Sequence, residues 1–255
     1  MYGNALGGAY ISEVNTNGSF MTAELLEEWK SLGMDTEFKI SYDGVRHHDW
    51  LCNVPGAEEK ELRGIRLCKE HGFRVRAQTN VHRGNLDTMF DTVKLLDSLG
   101  VEKVRIIRTT ETPRWDRNGQ RLCLEIGEYY DEMLKLMGRL VKTEFPIQVD
   151  IWQVAYYHPR TKRCYFHPVV EECGHYRDSP PLCRGTRGTI AVAHTGEVYP
   201  CNQMSGTLAK WGVKLGNVKK RPLHELLSQG EYLDLVTTPV SAVKGKNAVC
   251  REGQY

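Results

Sequence analysis

Several features are scarce in this 255-residue chain, and each scarcity narrows the possibilities. No apolar run approaches the ~20 residues needed to span a bilayer. The first residues lack the charged-then-apolar order of a secretory signal, so the expectation is a soluble, cytoplasmic protein with no membrane partner. Net charge is also scarce: 34 Lys and Arg stand against 32 Asp and Glu. A balance this close offers no basic footprint for nucleic acid, and the run Lys219-Lys220-Arg221 reads as a solvated face. Neither G-x-G-x-x-G nor G-x-x-x-x-G-K-[ST] follows any strand pattern, which leaves the nucleotide-binding forms of an open α/β sheet without support.

What the chain does have is a regular alternation of strand and helix patterns. Strands are expected from positions 11, 37, 73 and 103, the last at Lys103 to Arg108. Their separations of 26, 36 and 30 residues lie near the ~31 per unit of a (β/α)8 barrel. Between them run amphipathic stretches. Thr22 is placed to cap a helix carrying Leu25, Leu26, Trp29 and Leu32, and residues 57–71 align Leu62, Ile65 and Cys68. Asn85 is placed to cap residues 86–99, and Ile126 to Lys142 shows the clearest stripe, Tyr130, Met133, Leu134, Met137, Leu140 and Val141. Such alternation predicts a parallel sheet with helices outside it. Periodicity alone does not separate a barrel from a doubly wound sheet.

Eight cysteines are unevenly distributed, with Cys164, Cys173, Cys183, Cys201 and Cys250 all from position 164 onward. In a cytosolic protein that clustering favours metal or cluster ligation over disulfides. Cys52, Cys68 and Cys123 stand apart and read as packing residues. Cys183 to Cys201 has the pattern C-x12-G-x4-C. Within it residues 190–193 and 197–199 form a predicted hairpin that turns at His194-Thr195-Gly196. A hairpin returns its ends to one place, so the two thiols can serve one metal centre; two buried free cysteines are the plain alternative.

Downstream come Leu215-Gly216-Asn217-Val218, then Pro222-Leu223-His224-Glu225-Leu226-Leu227 opening a helix, then Cys250. This order resembles the SPASM/twitch auxiliary-cluster domain of radical S-adenosylmethionine (SAM) enzymes. The strand ends Thr16-Asn17-Gly18, Ser41-x-Asp43-Gly44 and Thr79-Asn80 are ordinary turn residues singly. Together they resemble the third to fifth strands of a radical SAM partial barrel. The resemblance implies an α/β fold: a partial (β/α) barrel over residues 1–151 with its first units missing, then a small Cys-rich α+β SPASM-like domain over 152–255. It implies that Asn17, Ser41, Asp43 and Asn80 bind SAM, and that Cys173, Cys183 and Cys201, with Cys250 as a possible fourth, hold an auxiliary 4Fe-4S cluster. The implied substrate is a peptide or protein, and the implied electron donor a flavodoxin or ferredoxin. His47-His48-Asp49 is expected to lie in a solvated loop without a catalytic role.

The chain departs from the family in lacking the C-x3-C-x2-C loop that holds the SAM-cleaving cluster, so it reads as a fragment unable by itself to cleave SAM. The SPASM pattern also stops short, with Gly at position 253. Two other readings remain. A zinc-binding module would use Cys164, His167, Cys173, His175, Cys183 and Cys201, although no C-x2-C or H-x3-H knuckle is present. A non-catalytic α/β scaffold would bind a partner through Trp115, Tyr156, Tyr157 and Tyr165.

Overall fold

The computed structural model describes residues 11–109, 122–152, 154–166, 190–199 and 215–228. The chain divides into two compact units, Met1–Val169 and Val170–Tyr255.

In the first unit the strands are β1 (Glu13–Thr16), β2 (Glu37–Ser41), β3 (Arg74–Val81), β4 (Lys103–Arg108), β5 (Gln148–Ile151), β6 (Ala155–His158) and β7 (Arg163–Phe166). They form one sheet in the order β1-β2-β3-β4-β5-β6-β7. The first five run parallel, and β6 and β7 continue the sheet as an antiparallel hairpin. The helices are α1 (Ala23–Ser31), α2 (His48–Cys52), α3 (Ala57–Glu70), α4 (Met89–Ser98) and α5 (Ile126–Thr143).

Strand order decides what periodicity left open. A doubly wound sheet reverses its order so that successive right-handed crossovers fall on opposite faces. Here the parallel order never reverses, and the crossovers therefore stay on one face. The packing agrees: Phe38, Ile40, Val75, Ala77, Val104, Ile106, Val149 and Ile151, from alternate positions of β2 to β5, share one core with Leu26 of α1, Ile65 of α3, Val93 of α4 and Met133 of α5. This is the singly wound arrangement of a (β/α) barrel segment. Among the described residues the opposite face carries no helix, and it is strongly polar. It presents Glu13, Glu37, Lys39, Arg76, Lys103, Arg105 and Asp150 in register across five strands.

Local signals mostly hold. Thr22 Oγ1 accepts the Leu25 N–H at 3.2 Å, the cap expected for α1. The stripe of α5 is rotated from the expected one: Tyr129, Met133, Leu136, Met137 and Leu140 are buried, while Leu134 is 43% exposed. β6 and β7, assigned to the second part from sequence, lie in the first sheet because Tyr157 and Cys164 face each other and pack into its core. Close approach explains one glycine. A Cβ on Gly64 of α3 would lie 2.3 Å from the Gly18 carbonyl oxygen, so only glycine lets the helix cross the β1–α1 turn.

The second unit contains the expected hairpin, β8 (Ala191–Val192) and β9 (Glu197–Tyr199), turning at Gly196 with φ +90°. β10 (Gly216–Asn217), unforeseen from sequence, pairs with β9, and α6 (Leu223–Leu227) follows. Val198, Leu215 and Leu226 form its small core. Asn217 Nδ2 donates to the Thr195 carbonyl at 3.1 Å, tying the turn to β10.

Candidate functional site

The carboxyl ends of β2 and β3 are knotted together by side chains. Asp43 follows β2 and is 4% exposed. Its Oδ1 accepts the Asn80 backbone N–H at 2.8 Å and the Asn80 Nδ2 at 2.9 Å. Thr79 Oγ1 donates to the Tyr42 carbonyl at 2.8 Å. Asn85 is fully buried and stands at the N-cap of a 3-10 turn, Leu86–Thr88, but its side chain makes no cap hydrogen bond. Its Nδ2 donates to the carbonyls of Asp43 (2.8 Å) and Asn80 (2.9 Å), and its Oδ1 accepts the His82 N–H at 2.9 Å. Local spacing suggested a cap because Asn favours both roles.

Of the four residues expected to bind SAM, Asp43 and Asn80 are therefore in direct contact. Ser41 pairs in register with Gln78, and strand alternation puts it on the helix-free face with Gln78 and Asn80. Asn17 sits in an exposed turn with its Oδ1 engaged by Ser19 N (3.1 Å) and Ser19 Oγ (2.8 Å). Nothing in the described residues joins Asn17 to the other three.

Behind Asp43 lies a buried polar cluster that runs against the solvated-loop expectation. His48 is fully buried in α2, its ring stacked on Tyr42 with centroids 5.5 Å apart. Nδ1 accepts the Asp43 N–H at 3.0 Å, while Nε2 faces the carboxylate of Glu61, itself 2% exposed, and Cys52 Sγ at 3.2 Å. Asp49 accepts from Gly56 N (2.6 Å) and Glu58 N (2.7 Å), holding the start of α3. Burial raises the Asp43 carboxyl above its usual range, partly offset by the Asn80 donors and His48. Burial likewise raises Glu61, with His48 opposing. For His48 burial opposes the imidazolium, but the Glu61 contact and the charges of Glu61, Asp43 and Glu58 outweigh it and raise the pKa.

Asp43, His48 and Cys52 offer ligand atoms within 4.8 Å of one another, a donor set that a zinc-class ion accepts. The atoms are otherwise employed, however. His48 Nδ1 and Asp43 Oδ1 hold internal hydrogen bonds, and the Cys52 thiol, pushed up to about 11 by burial and by Glu61, Asp43 and Asp49, keeps its proton. Cys52 is thus a partner of His48 rather than a packing residue, whereas Cys68 and Cys123 are buried. Beside the cluster a cavity of about 250 Å³ is lined by His47, Trp50, His82, Gly84 and Leu122. Cys173, Cys183, Cys201 and Cys250 lie outside the described residues, as do Trp115, His167 and His175.

A singly wound parallel sheet with polar strand ends defines an α/β barrel-type protein, and the comparisons refine the class. Residues 183–252, which begin at Cys183 and include Cys201 and Cys250, match the SPASM iron-sulfur cluster-binding domain. The AdoMet-dependent heme synthase of Methanosarcina barkeri is 25% identical over 241 residues, 92% of this chain and 65% of that protein. That of Oleidesulfovibrio alaskensis is 27% identical over 230 residues, 89% of this chain and 57% of its own. Among solved structures, native anSMEcpe with bound AdoMet and Cp18Cys peptide superposes with a TM-score of 0.61 at 14% identity, covering 95% of this chain and 63% of that one. Streptococcus suis SuiB bound to S-adenosylmethionine gives 0.60 at 11%, covering 89% and 56%. These matches support a protein of radical SAM/SPASM type, with a mixed α/β fold similar to that of radical SAM enzyme structures. It spans about 57–65% of the length of these curated relatives.

Proposed function

We propose that this chain forms the body and auxiliary-cluster end of a radical SAM enzyme acting on a carboxylate-bearing tetrapyrrole. The observation that carries the substrate is that the relatives matched over 89–92% of this chain are named heme synthases. SAM bound at a reduced 4Fe-4S cluster supplies hydrogen-atom abstraction chemistry. Ser41 Oγ and Asn80 Oδ1 take no hydrogen bond among the described residues and suit the amino and hydroxyl groups of such a ligand. Asp43 is too enclosed to touch a ligand broadly. Its role is to fix the Asn80 amide so that Oδ1 points outward, and His48 and Asn85 hold Asp43 in turn. Asn17 contributes, in this reading, through its turn at the neighbouring strand end.

Cys173, Cys183, Cys201 and Cys250 are the proposed ligands of the auxiliary cluster, with an electron donor of flavodoxin or ferredoxin type. The matched SPASM residues support three of the four, since Cys173 precedes them. The test is anaerobic reconstitution followed by iron and sulfide analysis. Wild-type protein should be brown with about four of each per chain, and Cys183→Ser or Cys201→Ser should lose the colour. A colourless zinc protein would reject the cluster. SAM binding by calorimetry, weakened in Ser41→Ala and Asn80→Ala, tests the pocket.

A second reading, a peptide or protein substrate, is favoured by solved structures of the same fold that hold peptides, SuiB with its precursor peptide SuiA among them. Turnover of coproporphyrin-type substrates against turnover of short peptides, in a preparation that cleaves SAM, separates the two.

A further inference from the structure

Toward β7 the helix-free face of the sheet changes from a self-neutralised ion-pair ladder to a cationic, aromatic surface. On β1 to β3, Glu13 and Glu37 answer Lys39 and Arg76, with contacts of 2.6 to 3.2 Å. On β4 and β5 two cations share one carboxylate. Lys103 Nζ lies 3.5 Å from Asp150 Oδ2, and Arg105 reaches the same oxygen through Nε at 3.0 Å and Nη2 at 2.9 Å. One positive charge is left over, and Arg105 Nη1 makes no hydrogen bond among the described residues.

The guanidinium of Arg105 also lies over the ring of Trp152, 5.0 Å from its centroid. Trp152 continues β5 at its carboxyl end, donating its N–H to the Ile106 carbonyl at 2.9 Å, yet its residue is 43% exposed. One strand further, Tyr156 stands opposite Asp150 and Tyr165 opposite Tyr156, the two rings stacked at 4.9 Å and 14°. Three aromatic rings and a surplus cation thus share one face, and Trp152 stands just beyond the carboxyl end of β5, the end of the strands at which barrel proteins bind ligands.

We propose that this surface is a substrate subsite for a planar ring bearing carboxylates, with Arg105 gripping a carboxylate through Nη1 and Trp152 supporting the ring. The inference rests on the tetrapyrrole reading and assigns its specificity to two residues. Charge selects the occupant, because a neutral ring leaves the Arg105 donor edge unanswered, and exposed aromatic area selects flatness.

The probe is metal-free coproporphyrin III, titrated into this chain and followed by its Soret band and by tryptophan fluorescence, with the tetramethyl ester as the uncharged comparison. Wild type should bind the acid and bind the ester at least about tenfold more weakly; Arg105→Gln should weaken the acid about 10- to 100-fold. Trp152→Ala should weaken it about fivefold, and Trp152→Phe should stay near wild type. Circular dichroism confirms that each variant is folded; if Arg105→Gln is not, Arg105→Lys and the exposed Trp152 variants decide. Folded variants that bind the acid as wild type does overturn the subsite and leave the tetrapyrrole reading standing. Equal affinity for acid and ester overturns the carboxylate grip. Wild type that binds neither porphyrin overturns the subsite and the tetrapyrrole reading together.

Discussion

Asn80 gives both its backbone N–H and its side-chain amide to one oxygen of Asp43, at 2.8 and 2.9 Å, across the ends of two neighbouring parallel strands. The pair replaces the ladder hydrogen bonds that end there, and it does so with a carboxylate only 4% exposed. Removing the acceptor leaves two donors stranded. Asp43→Ala should cost about 2–4 kcal/mol in urea unfolding, and Asp43→Asn, which keeps an oxygen in place, about 1–2. Equal losses in the two variants would mean that the charge matters and the hydrogen bonds do not.

Two glycines in helices should respond oppositely to alanine. Gly64→Ala sets a Cβ 2.3 Å from the Gly18 carbonyl oxygen, backbone that cannot swing aside, and should destabilise by roughly 2–4 kcal/mol. Gly138 in α5 has nothing within 4 Å of its ideal Cβ, so Gly138→Ala should stabilise by about 0.5–1 kcal/mol. Paired thermal melts give the signs directly.

Those two glycines also mark where sequence reasoning reaches its limit. Gly138 and Gly64 look alike in a helical pattern, and only the crossing of α3 over the β1–α1 turn distinguishes them. Strand spacing and helix stripes made the parallel α/β fold legible, because they report burial that each element carries on its own. Strand order, which excluded the doubly wound sheet, is a relation among elements and leaves no local trace. The same holds at the site. Asp43 and Asn80 are visible as turn residues at strand ends, but local spacing gives the Asn85 side chain to a helix cap and His48 to solvent. Their work is done across 42 residues for Asn85 and Asp43, a separation no motif spans.

His82 predicts an acid-side weakness. Burial, and then the nearby His47, depress its imidazole to about 4, so the folded protein holds it neutral while the unfolded chain takes up a proton below about 6.5. Its contribution is fully present above the unfolded value and is lost as pH falls from about 6.5 toward 4, on the order of 3 kcal/mol. Urea midpoints from pH 7.5 to 4.5 should fall more steeply in wild type than in His82→Gln. Parallel curves would assign the acid sensitivity to other groups.

The His48–Glu61 contact yields the opposite slope once it is broken. Both side chains are buried, and removing the imidazole leaves the Glu61 carboxyl enclosed without its partner while the Asp43 N–H loses its acceptor. His48→Ala should therefore cost about 3–5 kcal/mol at neutral pH. Glu61 is already raised by burial with His48 working against that rise, so loss of His48 raises it further. A carboxyl whose folded pKa exceeds its unfolded one is more favourable to the fold when protonated. The stability it lends is present below the unfolded value and is lost as pH rises through the folded one. The stability of His48→Ala should accordingly fall from pH 5 to pH 8 more steeply than that of His48→Ala/Glu61→Gln, in which the ionisable group is gone. Urea unfolding of the single and double variants at the two pH values measures it. Parallel pH dependences in the single and double variants would show that Glu61 does not titrate between the two pH values, and that the pair is held by shape rather than by charge.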